Sequence, residues 1–253
     1  MSAAESACSW PARSTDDVEL GVDGVHVWCA SLDDPPLEPE QLAGLLDVAD
    51  QDTAARYVFA RDRARSLVSR GMLRYLLGAY LDLDPRQIEL RFGPQGKPEL
   101  AARHSAYALR FNVSHADGKA LYAVTRRREV GIDVEHVRPM PAALAVARRF
   151  FAPSEIAALM RAGNIDQAFF IGWTRKEAYL KAHGGGLSVA LDKVEVELRP
   201  SDTPIRLHMP SDQIEAQRWL LYDLRPAPGF IGALCLEGAA TRVCCWRLSA
   251  ASD

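Results

Sequence analysis

The segment VGIDVEHV, residues 130–137, places two acidic side chains in a stretch with the pattern of a buried strand. Three apolar residues alternate with a glycine and two acids, so Asp133 and Glu135 lie on one face, beside Gly131. Two residues apart on a strand, the acids are about 6.6 Å apart. At an effective dielectric constant of ~20 they repel by about 2.5 kcal/mol. Either solvent screens that face, or a cation binds between the acids and Gly131 leaves room for a group to approach.

A third carboxylate lies in FFIGWTRKEAYLKAHGGGLS, residues 169–188. The i, i+4, i+8 spacing of Trp173, Glu177 and Lys181 places them on one stripe of a helix, which the three glycines end. Taken alone, the pattern indicates an exposed Glu177–Lys181 pair beside a core tryptophan. With the two acids of the strand, Glu177 completes a set of oxygen ligands that suits Mg²⁺. A lysine one turn from such a ligand suits a phosphate ester or pyrophosphate.

A third group of polar residues lies in FNVSHADG, residues 111–118, where a strand ends in a hairpin turn. Ser114 and His115 are predicted at this turn, and loops commonly present functional groups. One interpretation is an ordinary turn serine with an exposed histidine. Another is a Ser–His hydrolase, since HGGG at 183–186 resembles the oxyanion loop of some esterases. The chain has no GxSxG segment, which disfavours the hydrolase.

Hydrophobic periodicity predicts the elements that carry these residues. A strand at 24–32 precedes a helix near QLAGLLDVA and a long helical stretch at 54–81. Two strands flank the ADG turn, and the acidic strand covers 130–136. The rest of the chain has helices at 141–150, 152–161 and 165–183 and short strands near 193–198, 205–209, 217–224, 231–236 and 242–248.

Composition limits the classes of protein to consider. The chain has 253 residues, of which 48% are hydrophobic and 25% charged, with a net charge of −3. This balance disfavours a nucleic-acid binder, and no apolar run is long enough to cross a membrane. Residues 1–20 are predicted to be a flexible leader without the pattern of a signal peptide. Five scattered cysteines without a CxxC pair indicate reduced thiols in a cytoplasmic protein.

Three segments together resemble the Sfp-type 4′-phosphopantetheinyl transferases. They are FNVSHADG at 111–118, VGIDVE at 130–135, and FFAPSE with WTRKEAYLKAHGGGL within 150–187. Their order and separation also agree with that family, and the resemblance extends loosely over residues 50–225. Each segment alone is moderately specific for the family. The probability that all three occur in this order by chance is very small.

The resemblance implies a metal site and a catalytic lysine. In such enzymes the acids at the positions of Asp133, Glu135 and Glu177 bind Mg²⁺ together with the pyrophosphate of coenzyme A. The lysine at the position of Lys181 contacts the pyrophosphate and can protonate the leaving group. We expect Glu177 also to act as the base for the accepting serine, directly or through water.

The resemblance also implies contacts to the nucleotide end of coenzyme A. Ser114 and His115 match the pair that holds this end, with the histidine near the 3′-phosphate. Lys97 matches a residue near the adenine, and Arg65 matches a basic position of the family pattern.

One stretch departs from the family pattern. Where the family often has lysines that grip the 3′-phosphate, this chain has Asp50 and Thr53. Four arginines follow shortly afterwards, one of which is Arg65. The other three are either contacts to the phosphate or solvated charges on a helix: Arg56, Arg61 and Arg63.

We therefore expect an α+β fold of two similar halves related by a pseudo-twofold, each a small antiparallel sheet packed on a long helix. Residues 21–128 would form the N-terminal half with the coenzyme A nucleotide contacts, and residues 129–253 the C-terminal half with the metal site. The predicted protein is a monomer with its active site between the halves.

The expected reaction is Mg²⁺-dependent transfer of 4′-phosphopantetheine from coenzyme A to a serine of an acyl, peptidyl or aryl carrier protein, releasing adenosine 3′,5′-bisphosphate. One alternative is a regulator that binds coenzyme A and carrier proteins without transferase activity. Another is a Mg²⁺-dependent pyrophosphatase or nucleotide hydrolase, although no further acids are present to activate water. Nucleic acid and membranes are not expected partners.

Overall fold

Two β-sheets pack face to face in the computed structural model, which describes residues 10–16, 18–93, 95–186, 189–240 and 242–250. Between them lies an apolar core, to which Val25, Val27 and Leu121 contribute from one sheet and Ile132 and Leu234 from the other. The strands are β1 (Ala12–Arg13), β2 (Gly24–Ser31), β3 (Leu90–Phe92), β4 (Pro98–Leu100), β5 (Leu109–Ala116), β6 (Lys119–Arg126), β7 (Val130–His136), β8 (Ile205–Arg206), β9 (Trp219–Leu224), β10 (Phe230–Glu237) and β11 (Arg242–Leu248).

The first sheet has the order β1-β11-β2-β6-β5. Its strands β2, β6 and β5 are antiparallel neighbours, whereas β11 runs parallel to both β2 and β1. This sheet is therefore mixed, and the expectation of a purely antiparallel sheet is wrong for it. Because β11 comes from the end of the chain, sheet membership does not follow the predicted boundary between residues 128 and 129.

The second sheet has the order β7-β10-β9-β8 and is antiparallel throughout. A separate small hairpin joins β3 and β4. The acidic strand β7 forms one edge of the second sheet, so one side of it is free to approach β5, the edge strand of the first sheet.

A long helix packs on the outer face of each sheet. Helix α3 (Ala60–Leu81) shares a core with Trp28 and Tyr122 of the first sheet, and α6 (Ile165–His183) shares one with Ala233 and Cys235 of the second. Helix α6 begins at the N-cap Asn164 and ends at Gly184, whose φ of 75° suits a glycine. The shorter helices are α1 (Pro39–Ala43), α2 (Val48–Ala55), α4 (Ala143–Phe150), α5 (Pro153–Met160) and α7 (Gln213–Arg218). The predicted α+β class is confirmed.

Gly131 lets α6 lie directly on the acidic strand. A Cβ atom at this position would lie 2.0 Å from the carbonyl oxygen of Ala178 and 2.3 Å from the backbone nitrogen of Ala182. Gly131 and Asp133 share one face of β7, so that face is covered by the helix rather than open to solvent. The group for which this glycine leaves room is therefore the backbone of α6.

The predicted hairpin between β5 and β6 is confirmed. Asp117 and Gly118 form its two-residue turn, with φ angles of 41° and 79°. Ser114 and His115 lie on strand β5, ahead of the turn at which the sequence predicted them. Their side chains therefore point to opposite faces of the strand.

The cysteines differ from the sequence expectation at one position. Cys245 is disulfide-bonded, whereas Cys29, Cys235 and Cys244 are free. The expectation of reduced thiols is therefore wrong for Cys245. No helix in the described part of the chain is long and apolar enough to cross a membrane.

We expect Gly131→Ala to destabilise the protein severely, because its methyl group would overlap the backbone of α6. Overpacking typically costs about 1–3 kcal/mol and occasionally more, and an overlap with backbone atoms should lie at the upper end. Gly163→Ala is the matched control, since nothing lies within 4 Å of the added Cβ, and surface changes usually stay within about 0.5 kcal/mol. Chemical denaturation of both variants checks this. Equal stability of the two would contradict the proposed close packing.

Candidate active site

The site forms where the edge strands of the two sheets meet. The side-chain oxygen of Asn112 on β5 accepts a hydrogen bond of 2.8 Å from the backbone N–H of Ile132 on β7, and this bond is buried. Asn112 therefore holds the two edges together as a backbone ladder would. This contact brings Ser114, two residues along β5, beside Asp133, the residue after Ile132.

Ser114, Asp133 and Lys181 form a triangle of hydrogen bonds. The Ser114 hydroxyl donates to Asp133 Oδ1 at 2.9 Å, and Lys181 Nζ donates to Ser114 Oγ at 2.9 Å and to Asp133 Oδ1 at 2.7 Å. Lys181 Nζ also donates to the carbonyl oxygen of Ile132 at 3.2 Å. The ion-pair partner of Lys181 is thus Asp133 on another element, which overturns the interpretation of an exposed pair with Glu177.

Asp133 keeps one oxygen without a partner. Its side chain is buried, and Oδ2 makes no hydrogen bond, whereas Oδ1 has two partners. A buried carboxylate oxygen without a partner is costly and is uncommon in folded proteins. It is therefore a position at which a bound cation would be stabilised.

The other two predicted metal ligands lie within the electric field of Asp133. Burial and the charge of Asp133 raise the pKa of both Glu135 and Glu177, and Glu135 adds to the rise at Glu177. Arg138, 3.3 Å from Glu135, and Lys181 oppose these shifts. The three carboxylates therefore repel one another, as the sequence predicted for the first two.

The carboxylates are near one another without forming a ready-made metal centre. Among the described residues, no group of three or more His, Cys, Asp or Glu side chains has the arrangement to hold a metal ion. The partnerless Oδ2 of Asp133 and the mutual repulsion of the three acids nevertheless fit a hard divalent cation. Mg²⁺ binding remains a prediction.

His115 lies on β5 with an exposed side chain. Partial desolvation and the positive charges of Lys181 and Arg70 lower its pKa. Arg70 belongs to α3 and stacks over the ring of the exposed Phe92, with 6.0 Å between its Cζ atom and the ring centroid. The cations around His115 create a place that favours an anion.

Arg65 is close to this area, and its charge is already compensated. Its guanidinium donates two hydrogen bonds of 2.6 Å to Asp33 and lies 3.9 Å from Asp117 in the hairpin turn. The hydrogen bonds to Asp33 raise the pKa of Arg65. A phosphate contact of Arg65 therefore remains a prediction, and it would require the guanidinium to share or leave Asp33.

The sequence departs from the family pattern at Asp50, and the structure explains why an acid is present there. Its buried carboxylate accepts hydrogen bonds from Arg70 at 2.8 Å and from the fully buried Arg74 at 2.6 Å. Arg74 also pairs with Asp47. An acid at position 50 thus compensates two arginines of α3, and it holds Arg70 in place.

Lys97 connects elements of the two parts of the chain. Its ammonium donates to the carbonyl oxygens of Val130 at 3.2 Å and Lys181 at 2.8 Å, and it lies 3.6 Å from Glu129. Burial lowers its pKa, while Glu129 opposes this. A cavity of about 260 Å³ lies beside it, lined also by Arg110. The adenine contact of Lys97 stays a prediction, and the ammonium already has two hydrogen bonds and one ion pair within the protein.

Lys176, the other lysine of the RKEAYLK segment, has a structural role. It is fully buried and lies 2.8 Å from Glu155 of the APSE segment, and it also donates to the carbonyl oxygens of Leu191 and Val194. The second Glu155 oxygen accepts from the backbone N–H of Val196 at 2.8 Å. This pair joins α5, α6 and the following loop, and it leaves Lys176 unable to reach the cleft.

Sequence reasoning did not identify Asn112 or Arg70 as site residues. Asn112 lies within the FNVSH segment, and its amide in an apolar strand was a usable signal, because a buried amide needs a hydrogen-bond partner. Arg70 gave no signal, since one arginine among several on a helix is not distinguished by spacing.

Comparison with known proteins agrees with these observations. Residues 129–235 match the family model of the 4′-phosphopantetheinyl transferase superfamily, and residues 36–126 match the model of the 4′-phosphopantetheinyl transferase N-terminal region. The 4′-phosphopantetheinyl transferase HetI of Nostoc sp. is 37% identical over 219 residues, which cover 85% of this chain and 89% of the relative. The 4′-phosphopantetheinyl transferase Sfp of Bacillus subtilis is 28% identical over 175 residues, covering 68% and 75% of the two chains.

The chain therefore belongs to the 4′-phosphopantetheinyl transferase superfamily and is a transferase. The family predicted from the three sequence segments is confirmed, and both family matches include residues of the site described above.

We expect Glu177→Gln to raise the melting temperature at pH 7 in metal-free buffer. The raised pKa means that ionised Glu177 is less favourable in the folded than in the unfolded protein. Stability is therefore lost as the pH rises from the ordinary value of 4.5 through the raised folded value. The difference between variant and wild type should shrink as the pH falls towards 4.5.

The exposed Glu19→Gln is the matched control for this comparison. Thermal melts of the three proteins at several pH values provide the measurement. A Glu177→Gln variant that melts no higher than wild type at pH 7 would show that Glu177 is not repelled by its neighbours.

Proposed function

We propose that this protein transfers 4′-phosphopantetheine from coenzyme A to a serine hydroxyl of an acyl, peptidyl or aryl carrier protein. The observation that carries the proposal is the Lys181 ammonium, held 2.7 Å from Asp133 beside a carboxylate oxygen without a partner, in a chain of this superfamily. A cation and an unsatisfied acid side by side suit a metal-bound pyrophosphate, which needs both.

Three carboxylates are proposed to hold Mg²⁺: Asp133, Glu135 and Glu177. When bound, the ion neutralises charge on the pyrophosphate. The open Oδ2 of Asp133 and the raised pKa values of the two glutamates support this set. Coenzyme A is the co-substrate, and adenosine 3′,5′-bisphosphate is the proposed product.

Lys181 is proposed to contact the departing phosphate. Its side chain is partly exposed, at 28%, so it can reach a ligand from its place against Asp133. In the reaction the serine oxygen forms a bond to the β-phosphorus, and the bond from that phosphorus to the bridging oxygen of the pyrophosphate breaks. Lys181 supplies positive charge and a proton to the oxygen that leaves.

Glu177 is proposed to accept the proton of the carrier serine, directly or through water. Burial and the neighbouring acids raise its pKa in the metal-free protein, and a bound cation would oppose that rise. The proposal therefore rests on the position of Glu177 beside Asp133 and Lys181. No covalent enzyme intermediate is required, since catalysis here consists of positioning and charge stabilisation.

His115 is proposed to bind the 3′-phosphate of coenzyme A, with Arg70 as a second cation. The exposed side chain of His115 and the charge of Arg70 beside it support this assignment. Arg65 and Ser114 are also proposed to contact the nucleotide end, and Lys97 the adenine. Each of these side chains would then have to share or exchange its present protein partner.

Further proposals concern the whole molecule. The presence of a long helix on each sheet supports a pseudo-twofold relation of the two halves. A monomer acting in the cytoplasm remains our proposal.

Incubation of the protein with coenzyme A, Mg²⁺ and an apo acyl carrier protein should increase the carrier's mass by one phosphopantetheine group. Lys181→Ala should lower turnover by roughly 10²-fold, the scale of general acid catalysis. Lys181→Arg should restore binding of coenzyme A better than turnover, because arginine keeps the charge and does not release a proton. Steady-state kinetics with a thermal melt of each variant provide the measurement.

Lys193→Ala is the matched control, since Lys193 is exposed and pairs with Asp192 at 3.5 Å. Wild-type turnover in Lys181→Ala would remove the lysine from the reaction. Binding of coenzyme A without any mass increase on several carriers would favour the regulator over the transferase.

His115→Ala and Arg70→Lys test the nucleotide end. We expect His115→Ala to raise the KM for coenzyme A about tenfold, the scale of one hydrogen bond to a charged group, and to leave the KM for 3′-dephospho-coenzyme A unchanged. Arg70→Lys keeps the charge and should have a smaller effect in the same direction. The exposed Arg91→Gln, which breaks only a pair with Glu99, is the control. Equal losses with both substrates would exclude a 3′-phosphate contact.

A further inference from the structure

Strands β5 and β7 lie side by side along a seam where the two sheets meet, but they belong to different sheets. Polar side chains join them along this seam. The pairs are, in order, Arg110 with Glu129 at 3.0 Å, Asn112 with the backbone of Ile132 at 2.8 Å, Ser114 with Asp133 at 2.9 Å and Asp117 with His136 at 2.8 Å. Residue numbers rise together on both sides, so the two strands run in the same direction and the pairs set their register.

The carboxylate of the last pair, Asp117, is fixed to the first sheet by its hairpin turn. The carbonyl oxygen of the next residue, Gly118, accepts a hydrogen bond of 2.8 Å from the backbone N–H of Leu32. A Cβ atom at Gly118 would lie 2.4 Å from Asp33 Oδ2 and 3.0 Å from Arg65 Nη2. The turn therefore packs directly on the Asp33–Arg65 pair, and Arg65 Nη1 also lies 3.9 Å from Asp117 Oδ1.

The other member of the last pair, His136, is fixed to the second sheet. It lies opposite Phe230 of β10 in the antiparallel ladder, and the two rings stack with their centroids 4.8 Å apart. The backbone N–H of Val137 donates to the carbonyl oxygen of Gly229 at 2.8 Å. The contact of 2.8 Å between His136 Nδ1 and Asp117 Oδ2 thus joins two groups that are each held by their own sheet.

This pair, which we call the clasp, lies between the two sites that we assign to coenzyme A. Asp117 follows His115, the proposed 3′-phosphate contact, by two residues, and His136 directly follows the proposed metal ligand Glu135. A ligand that contacts two sites binds tightly only when their separation matches its length. The side chains of the clasp are 37% and 53% exposed, so the pair contributes little to global stability.

We propose that Asp117 and His136 are positioning residues, which hold the nucleotide side of the cleft at the correct distance from the metal side. The proposal rests on the proposed function, because it requires one molecule of coenzyme A to contact both sides. Loss of the clasp should therefore weaken a ligand that spans the seam, and should leave unchanged the affinity for a ligand that contacts the nucleotide side alone.

The test compares His136→Ala with His136→Asn, and the exposed His208→Ala is the matched control. Calorimetry measures the Kd of coenzyme A with Mg²⁺ and the Kd of adenosine 3′-monophosphate, which carries the 3′-phosphate without the pyrophosphate. We expect His136→Ala to raise the Kd of coenzyme A about tenfold and to lower kcat by roughly 10- to 100-fold. The Kd of adenosine 3′-monophosphate should change by less than about twofold. His136→Asn keeps a polar nitrogen near the position of Nδ1 and should recover most of both losses.

A double-mutant cycle with Asp117→Gly distinguishes the clasp from a direct contact of His136 with the pyrophosphate. Glycine tolerates the φ of 41° at position 117, so the turn is retained. Two residues that act through one contact are strongly non-additive, so the double variant should be no weaker for coenzyme A than either single variant. Additive losses would show that His136 acts without Asp117, and would overturn the proposal.

A thermal melt of each variant excludes misfolding, and Asp117→Gly alone provides the comparison if His136→Ala does not fold. Equal losses for coenzyme A and adenosine 3′-monophosphate would place the effect at the nucleotide end and overturn the proposal, as would an unchanged Kd and kcat with coenzyme A. Failure of the wild-type protein to transfer the group would instead contradict the proposed function, whereas the two affinities would still test the clasp.

Discussion

The close contact between Gly131 and the backbone of α6 is the constraint on which the site depends. Because no Cβ separates them, the last turn of the helix lies directly over the acidic strand. Lys181, in that turn, can then reach Asp133 at 2.7 Å without leaving the helix. A larger residue at position 131 would separate the two, and the carboxylate would remain buried without a cation. The packing of a helix on a sheet thus determines the electrostatics of the site.

Burial of Asp133 is tolerable because its charge has a partner, the ammonium of Lys181. An acid with one carboxylate oxygen unsatisfied is unfavourable, and Lys181 compensates its charge from one side only. The other two acids are less fully compensated, since burial and Asp133 raise the pKa values of both. The folded protein therefore retains electrostatic repulsion that a divalent cation would relieve. This is the condition expected of a site organised for a ligand rather than for stability.

The elements with strong local patterns were predictable from the sequence, and those that depend on distant partners were not. The strand at 130–136 and the helix at 165–183 agree with the structure, because alternation and a glycine stop are local signals. The helical stretch predicted at 54–81 is divided into α2 and α3, and the strand predicted at 193–198 is reduced to one bridge between Glu195 and His208. The placement of β11 beside β2 depends on pairing across the whole chain, which no local pattern encodes.

The same distinction between local patterns and distant partners explains why the sequence did not show which arginines of α3 are available to a ligand. Their number is visible in the sequence, but which of them is available to a ligand depends on the acids that the fold brings to each. Asp33 accepts both hydrogen bonds of the Arg65 guanidinium, and Asp50 divides its charge between Arg70 and Arg74. Arg74 is fully buried, whereas Arg70 keeps a quarter of its side chain exposed, at 24%. An acid at position 50 thus does not remove positive charge from the cleft. It fixes one arginine in the core and holds the other beside His115, where an incoming phosphate would compete with Asp50 for it.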